Sequence, residues 1–129
     1  MKPKVVLLYT RDGGFACLVS EALAETETII LPARTVAEAF QIIRKRGRDL
    51  AFALMDFDGA CRGMILLSAV HSCFENLPIL VTTSDNAEHV TAIAYANGAT
   101  ACLNRPGHSS VLTGAIAELT RPKQHLDAA

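Results

Sequence analysis

The sequence predicts an α/β domain, a doubly wound five-stranded parallel sheet carrying five helices. Short apolar runs of strand length alternate along the chain with stretches of helical periodicity. Gly, Pro, Asn and Asp separate these segments, and polar residues gather at the carboxyl ends of the runs. Such alternation argues for parallel strands, because each crossover between them needs a covering helix. The 129 residues suit one domain, with a substantial core and no room for a second. The domain is placed at 1–120, and residues 121–129, "RPKQHLDAA", read as a polar tail.

The first strand covers about residues 4–9. Behind the glycine pair, Phe15, Leu18, Val19, Ala22 and Leu23 recur at the spacing of an amphipathic helix, with Asp12 as a candidate N-cap. "TETIILPA" is a short second strand, expected to end at Pro32. Thr35 and Glu38 form a capping box ahead of a helix with the stripe Val36, Ala39, Phe40 and Ile43. "RKRG" closes that helix: cations suit its dipole, and Gly47 suits its C-terminal position. "DLAFALMD" is the most apolar segment and reads as a central strand buried on both faces. Leu66, Ala69, Val70 and Cys73 give the next helix its inner face. "LPILVTTSD" is a fourth strand with hydroxyls at its tip. A capping box from Asp85 to Glu88 opens a helix with Val90, Ile93 and Ala94 inside, closed by Gly98. "ATACL" is the fifth strand, "NRPG" a loop, and Leu112, Ala115, Ile116 and Leu119 mark the last helix.

Composition removes several function classes. Half the residues are apolar and the formal net charge is −1. A nucleic-acid groove would want a basic excess, so no direct nucleic-acid contact is expected. No apolar run approaches the length of a membrane span. The N-terminus turns polar too soon for a secretory signal, and a cytoplasmic location is expected. Cysteines 17, 61, 73 and 102 form no C-x-x-C pair and read as free, buried thiols. His71 and Cys73, two apart on a helix, point to different faces and have no further zinc ligands nearby.

Ligands of open parallel sheets collect at the carboxyl ends of the strands. Those ends supply Thr10, Arg11 and Asp12; Asp56 and Asp58; Thr83 and Ser84; Asn104 and Arg105. "RDGGFA" fits neither G-x-G-x-x-G nor a P-loop, and no G-x-S-x-G elbow occurs. What remains is an aspartate on the central strand, a hydroxyl on the next and a cation on the one after. That set suits a carboxylate that accepts a phosphoryl group, whose oxygens the hydroxyl and cation can hydrogen-bond.

In "DLAFALMDFDGACRGMILL", "LPILVTTSD" and "NGATACLNRP" the chain resembles the response-regulator receiver domains (CheY-like), over about residues 4–120. The resemblance implies a flavodoxin-like sheet of order 2-1-3-4-5 and a non-enzymatic signalling module of a two-component phosphorelay. It matches Asp56 to the phosphoacceptor and Thr83 to the switch hydroxyl. Arg105 replaces the lysine before Pro106, whose peptide bond is usually cis in the family. Cys102 takes the place of the switch aromatic, so a rotating ring cannot operate there. The acidic pair that holds Mg²⁺ is replaced by Thr10 and Arg11, with Asp12 adjacent. The loop after Asp56 is one residue shorter before Gly63 and lacks its proline.

These departures imply a pseudo-receiver with a degenerate acid pocket. Mg²⁺ wants carboxylate and water oxygens, so only weak binding through Asp12, Asp56 and a carbonyl near Asp58 is expected. Arg11 is expected to pair with Asp56 or to clamp an anion together with Arg105, unless it is a surface side chain. The implied partners are a histidine kinase, a phosphotransfer protein or an output domain. Contact, including a homodimer, is expected through residues 86–120. Two alternatives stand beside this reading: a conventional receiver phosphorylated on Asp56, and a small anion- or nucleotide-binding α/β enzyme.

Overall fold

The computed structural model describes residues 3–57, 61–83 and 88–121. Strands β1 (Lys4–Tyr9), β2 (Thr28–Ala33), β3 (Leu50–Phe57), β4 (Ile79–Thr83) and β5 (Ala101–Asn104) form one sheet. All pair in parallel, in the order β2-β1-β3-β4-β5. Helices α1 (Gly13–Ala22), α2 (Val36–Arg46), α3 (Cys61–Cys73), α4 (Glu88–Ala96) and α5 (Ser109–Thr120) connect the strands and follow the last one, with a 3-10 turn at Gly47–Asp49 before β3. The fold class and strand order are those expected.

Successive side chains of a strand point to opposite faces, and the core divides accordingly. Val5, Leu7, Tyr9, Ala53, Met55, Phe57, Ile79 and Val81 pack with buried residues of α2, α3 and α4. Val6, Leu8, Phe52, Leu54 and Leu80 pack with Phe15, Val19 and Leu23 and with Leu112, Ile116 and Leu119 of α5. Burying each Val, Leu, Ile, Phe or Met among them stabilises the fold by roughly 1.5–3 kcal/mol. Even-numbered residues of β1, β3 and β4 therefore face α1 and α5. That parity decides which polar groups meet beyond the core.

Several local expectations need correction. β2 does not end at Pro32 but continues to Ala33, with Pro32 paired in register with Leu8. The strand lies at the sheet edge, where a residue without a donor is tolerated. Cys17 and Cys73 are free but exposed, so Cys73 is not on the inner face of α3; Leu66, Leu67 and Val70 hold that face. Ile93 is exposed on α4, where Ala94 is buried instead. The Thr35–Glu38 capping box is formed. Gly47 is the C-cap of α2, as expected, with ordinary helical dihedrals (φ −55°, ψ −38°). Glycine is needed there for space, since a Cβ would lie 2.5 Å from Cζ of Phe74. Gly98 does adopt the left-handed region, φ 114°, after α4. The Asp85–Glu88 capping box lies outside the described residues.

Candidate functional site

The parity of the sheet carries one polar residue from each of three neighbouring strands to a common point. Thr10 follows Val6 and Leu8, Asp56 follows Phe52 and Leu54, and Thr82 follows Leu80 on the face of α1 and α5. Asp56 and Thr82 are direct partners in the β3–β4 ladder. The Asp56 side chain is only 1% exposed. A buried carboxylate is costly unless its oxygens are hydrogen-bonded and its charge is paired. Here both conditions are met.

Oδ2 of Asp56 accepts from Thr10 Oγ1 at 2.7 Å and from Arg105 Nη2 at 2.7 Å. Oδ1 accepts from Thr82 Oγ1 at 2.8 Å and from Arg105 Nε at 3.0 Å. A carboxylate offers about four lone-pair sites, and all are filled. Arg105 engages it with two parallel N–H groups, the planar fork that a lysine lacks. Its backbone N–H donates to the Thr83 carbonyl at 2.8 Å, which anchors the loop after β5 to β4. The guanidinium also lies over the Phe15 ring, with Cζ 5.8 Å from the centroid.

Asp12 completes the cluster. Its Oδ1 accepts from the Phe15 N–H at 3.1 Å as the N-cap of α1, and its Oδ2 accepts from Arg105 Nη1 at 2.9 Å. The Phe15 N–H, helped by the Arg105 guanidinium and the Gly14 N–H, holds the Asp12 carboxyl below its ordinary value against a smaller opposing effect of desolvation. The Asp12 N–H donates to Thr10 Oγ1 at 3.0 Å. Thr10 thus links the two residues, accepting from the Asp12 backbone and donating to the Asp56 carboxylate.

Asp56, Arg105, Thr10 and Asp12 are therefore brought together as one network. Arg11 is not the cation on Asp56; it is exposed, and Arg105 holds that role. Thr83 is buried beside the site, but the hydroxyl on Asp56 is that of Thr82. The Arg105–Pro106 bond is trans. Asp58 and Ser84 lie outside the described residues. Cys102 is half-buried; desolvation pushes its thiol up, offset in part by the Thr91 hydroxyl at 3.9 Å. An aromatic does reach this position, from α4: the Tyr95 hydroxyl accepts from the Cys102 N–H at 3.1 Å.

Thr82, Phe15 and Tyr95 were not singled out as site residues by the sequence. The adjacent hydroxyls of "LVTTSD" held the signal for Thr82, but choosing between them needs the strand parity. The two carboxylates expected to hold Mg²⁺, Asp12 and Asp56, stand together at the site, and the third expected donor, a carbonyl near Asp58, lies outside the described residues. Mg²⁺ needs near-octahedral oxygens, whereas the oxygens of Asp12 and Asp56 are committed to donors and one guanidinium joins the two carboxylates. Among the described residues, no group of three or more His, Cys, Asp or Glu is placed to hold a metal ion. No described helix is long and apolar enough to cross a membrane.

No family model and no curated protein matches the chain. Solved structures do. A putative response regulator from Chloroflexus aurantiacus is 21% identical, with a TM-score of 0.81 over 94% of this chain and 100% of that one. A two-component response regulator from Clostridium difficile is 18% identical, with a TM-score of 0.80 over 92% and 96%. The Mn²⁺-bound form of the response regulator Rcp1 is 17% identical, with a TM-score of 0.79 over 95% and 98%. Across nearly its whole length, this chain has the fold of the response-regulator receiver domains.

Proposed function

We propose that the chain is a receiver-type module of a two-component phosphorelay that acts by protein–protein contact, its acid pocket closed by Arg105 in place of a divalent cation. The observation that carries this reading is the complete occupation of Asp56: four donors fill its four acceptor sites. A carboxylate attacks phosphorus with an oxygen lone pair. None is free until Arg105 or a threonine withdraws. The Arg105 guanidinium, charged at every working pH, neutralises the Asp56 carboxylate and spans it to Asp12. The pocket is then held in one state, and signalling falls to the surface.

The face expected to make contact carries apolar side chains that the core does not use. Ile93 and Tyr95 on α4 and Val111 on α5 are 45%, 49% and 52% exposed. Their chemistry suits a protein partner such as a kinase, a phosphotransfer protein or an output domain.

A second reading, a conventional phosphoacceptor, draws on the same geometry. Thr10, Thr82 and Arg105 are the groups that would hold phosphoryl oxygens once Arg105 had turned away from Asp56. Incubation with a small phosphodonor and Mg²⁺, followed by intact mass, separates the two. The locked pocket is expected to leave the mass unchanged. Stoichiometric labelling that disappears in Asp56→Asn would replace it with the phosphoacceptor reading.

A further inference from the structure

The basic cluster that closes α2 is used by nothing described so far. It lies at the end of the sheet opposite Asp56, where the last turn of α2 and the 3-10 turn lead into β3. There, with the end of α3, it lines a half-open cavity of about 710 Å³. That volume is in the range of small-molecule sites, roughly 300–1,000 Å³. Arg44, Lys45 and Arg48 line the cavity, and all three are exposed. The carboxylate in the lining, Asp49, already pairs with Arg46, Nε to Oδ2 at 3.1 Å. The C-terminal end of a helix carries about half a negative charge, so the three cations exceed what α2 requires.

The cavity also has an aromatic lining. Phe40 is 37% exposed although it lies beside the buried stripe of α2. Phe74 sits against the backbone of Gly47, where any larger residue would meet its ring. Cations beside two phenyl rings complement a ligand that is both planar and acidic.

We infer that this cavity binds a small aromatic anion, its ring against Phe40 and Phe74 and its acidic group on Arg44, Lys45 and Arg48. The inference is independent of the receiver reading. 8-Anilinonaphthalene-1-sulfonate, followed by fluorescence, is the probe, and N-phenyl-1-naphthylamine is its uncharged counterpart. The double variant Arg44→Glu, Arg48→Glu is expected to weaken the sulfonate by about tenfold or more, since two charges are reversed. It should leave the uncharged probe unaffected. Thr113→Lys, in the apolar trough between α1 and α5, serves as the control and is expected to change nothing. Equal sulfonate affinity in wild type and the double variant overturns the inference, as does loss of binding in Thr113→Lys alone. Both variants alter exposed side chains, and a thermal melt of each checks that it is folded before binding is read. Competition with adenosine monophosphate and with 1-naphthoate tells a phosphate-bearing ligand from a carboxylate. Displacement by either supports the site, and displacement by neither overturns it.

Discussion

At the scale of single residues, the site turns on one guanidinium. Arg105 is the counter-ion of a carboxylate that is almost wholly buried, while its own side chain is 21% exposed. Removing one partner of a buried pair costs about 3–5 kcal/mol, and partial exposure of the arginine moves the expectation to about 2–4 kcal/mol. Urea unfolding of Arg105→Met at neutral pH measures it. A loss below about 0.5 kcal/mol, the size of a neutral surface change, would show that Asp56 does not depend on the pair. Asp12 adds a dependence on pH. Its folded pKa is depressed, so the folded state binds fewer protons near that pKa and stability rises with pH. Its contribution is present above the unfolded value, about 3.9, and is lost as pH falls through the folded one. Asn caps a helix nearly as well as Asp, so Asp12→Asn removes the charge and keeps the cap. The stability gap between wild type and Asp12→Asn is expected to hold near neutrality and to close in acid. A gap that persists at low pH would mean the charge is not its source. The sequence made Asp56, Asp12 and Arg105 legible because strand ends collect polar groups. It did not distinguish Arg11 from Arg105 as the cation, since that depends on how the loop after β5 folds back over β4.

At the scale of elements, β3 and α3 are fitted to each other through one small residue. A Cβ on Gly63 would lie 2.2 Å from Cδ1 of Phe57. That ring cannot give way easily, being 3% exposed and edge-on to Tyr9 at 6.3 Å. Helix propensity alone would have Gly63→Ala stabilise α3 by about 1 kcal/mol. Overpacking, at about 1–3 kcal/mol, opposes it, and a net destabilisation is expected. A higher melting temperature for Gly63→Ala would show that the ring can move. Boundaries were read less well than elements. Pro32 looked like a stop, but an edge strand needs fewer donors than an inner one. Ile93 looked internal on spacing alone, whereas among the described side chains of α4 it is Ala94 that is buried.

At the scale of the molecule, the order of the five strands and five helices was legible throughout, because each segment carries its own period. The face toward which each strand residue points was not. Both faces of β3 and β4 are buried, so their sequences lack the apolar–polar alternation that would reveal it. That is why Thr82 and Thr83 could not be told apart from sequence, although it is Thr82 that donates to Asp56. The two rims of the same sheet carry a further consequence. On one side β2 has Pro32, which has no N–H to offer a new strand. On the other, the phenol of Tyr95 occupies the outward N–H of Cys102 in β5. An open sheet tends to recruit another chain along its rim, and both rims here are blunted against that route to polymers. At Pro32 and at Cys102 an incoming strand would find no N–H to pair with, a device that keeps sheet edges from propagating.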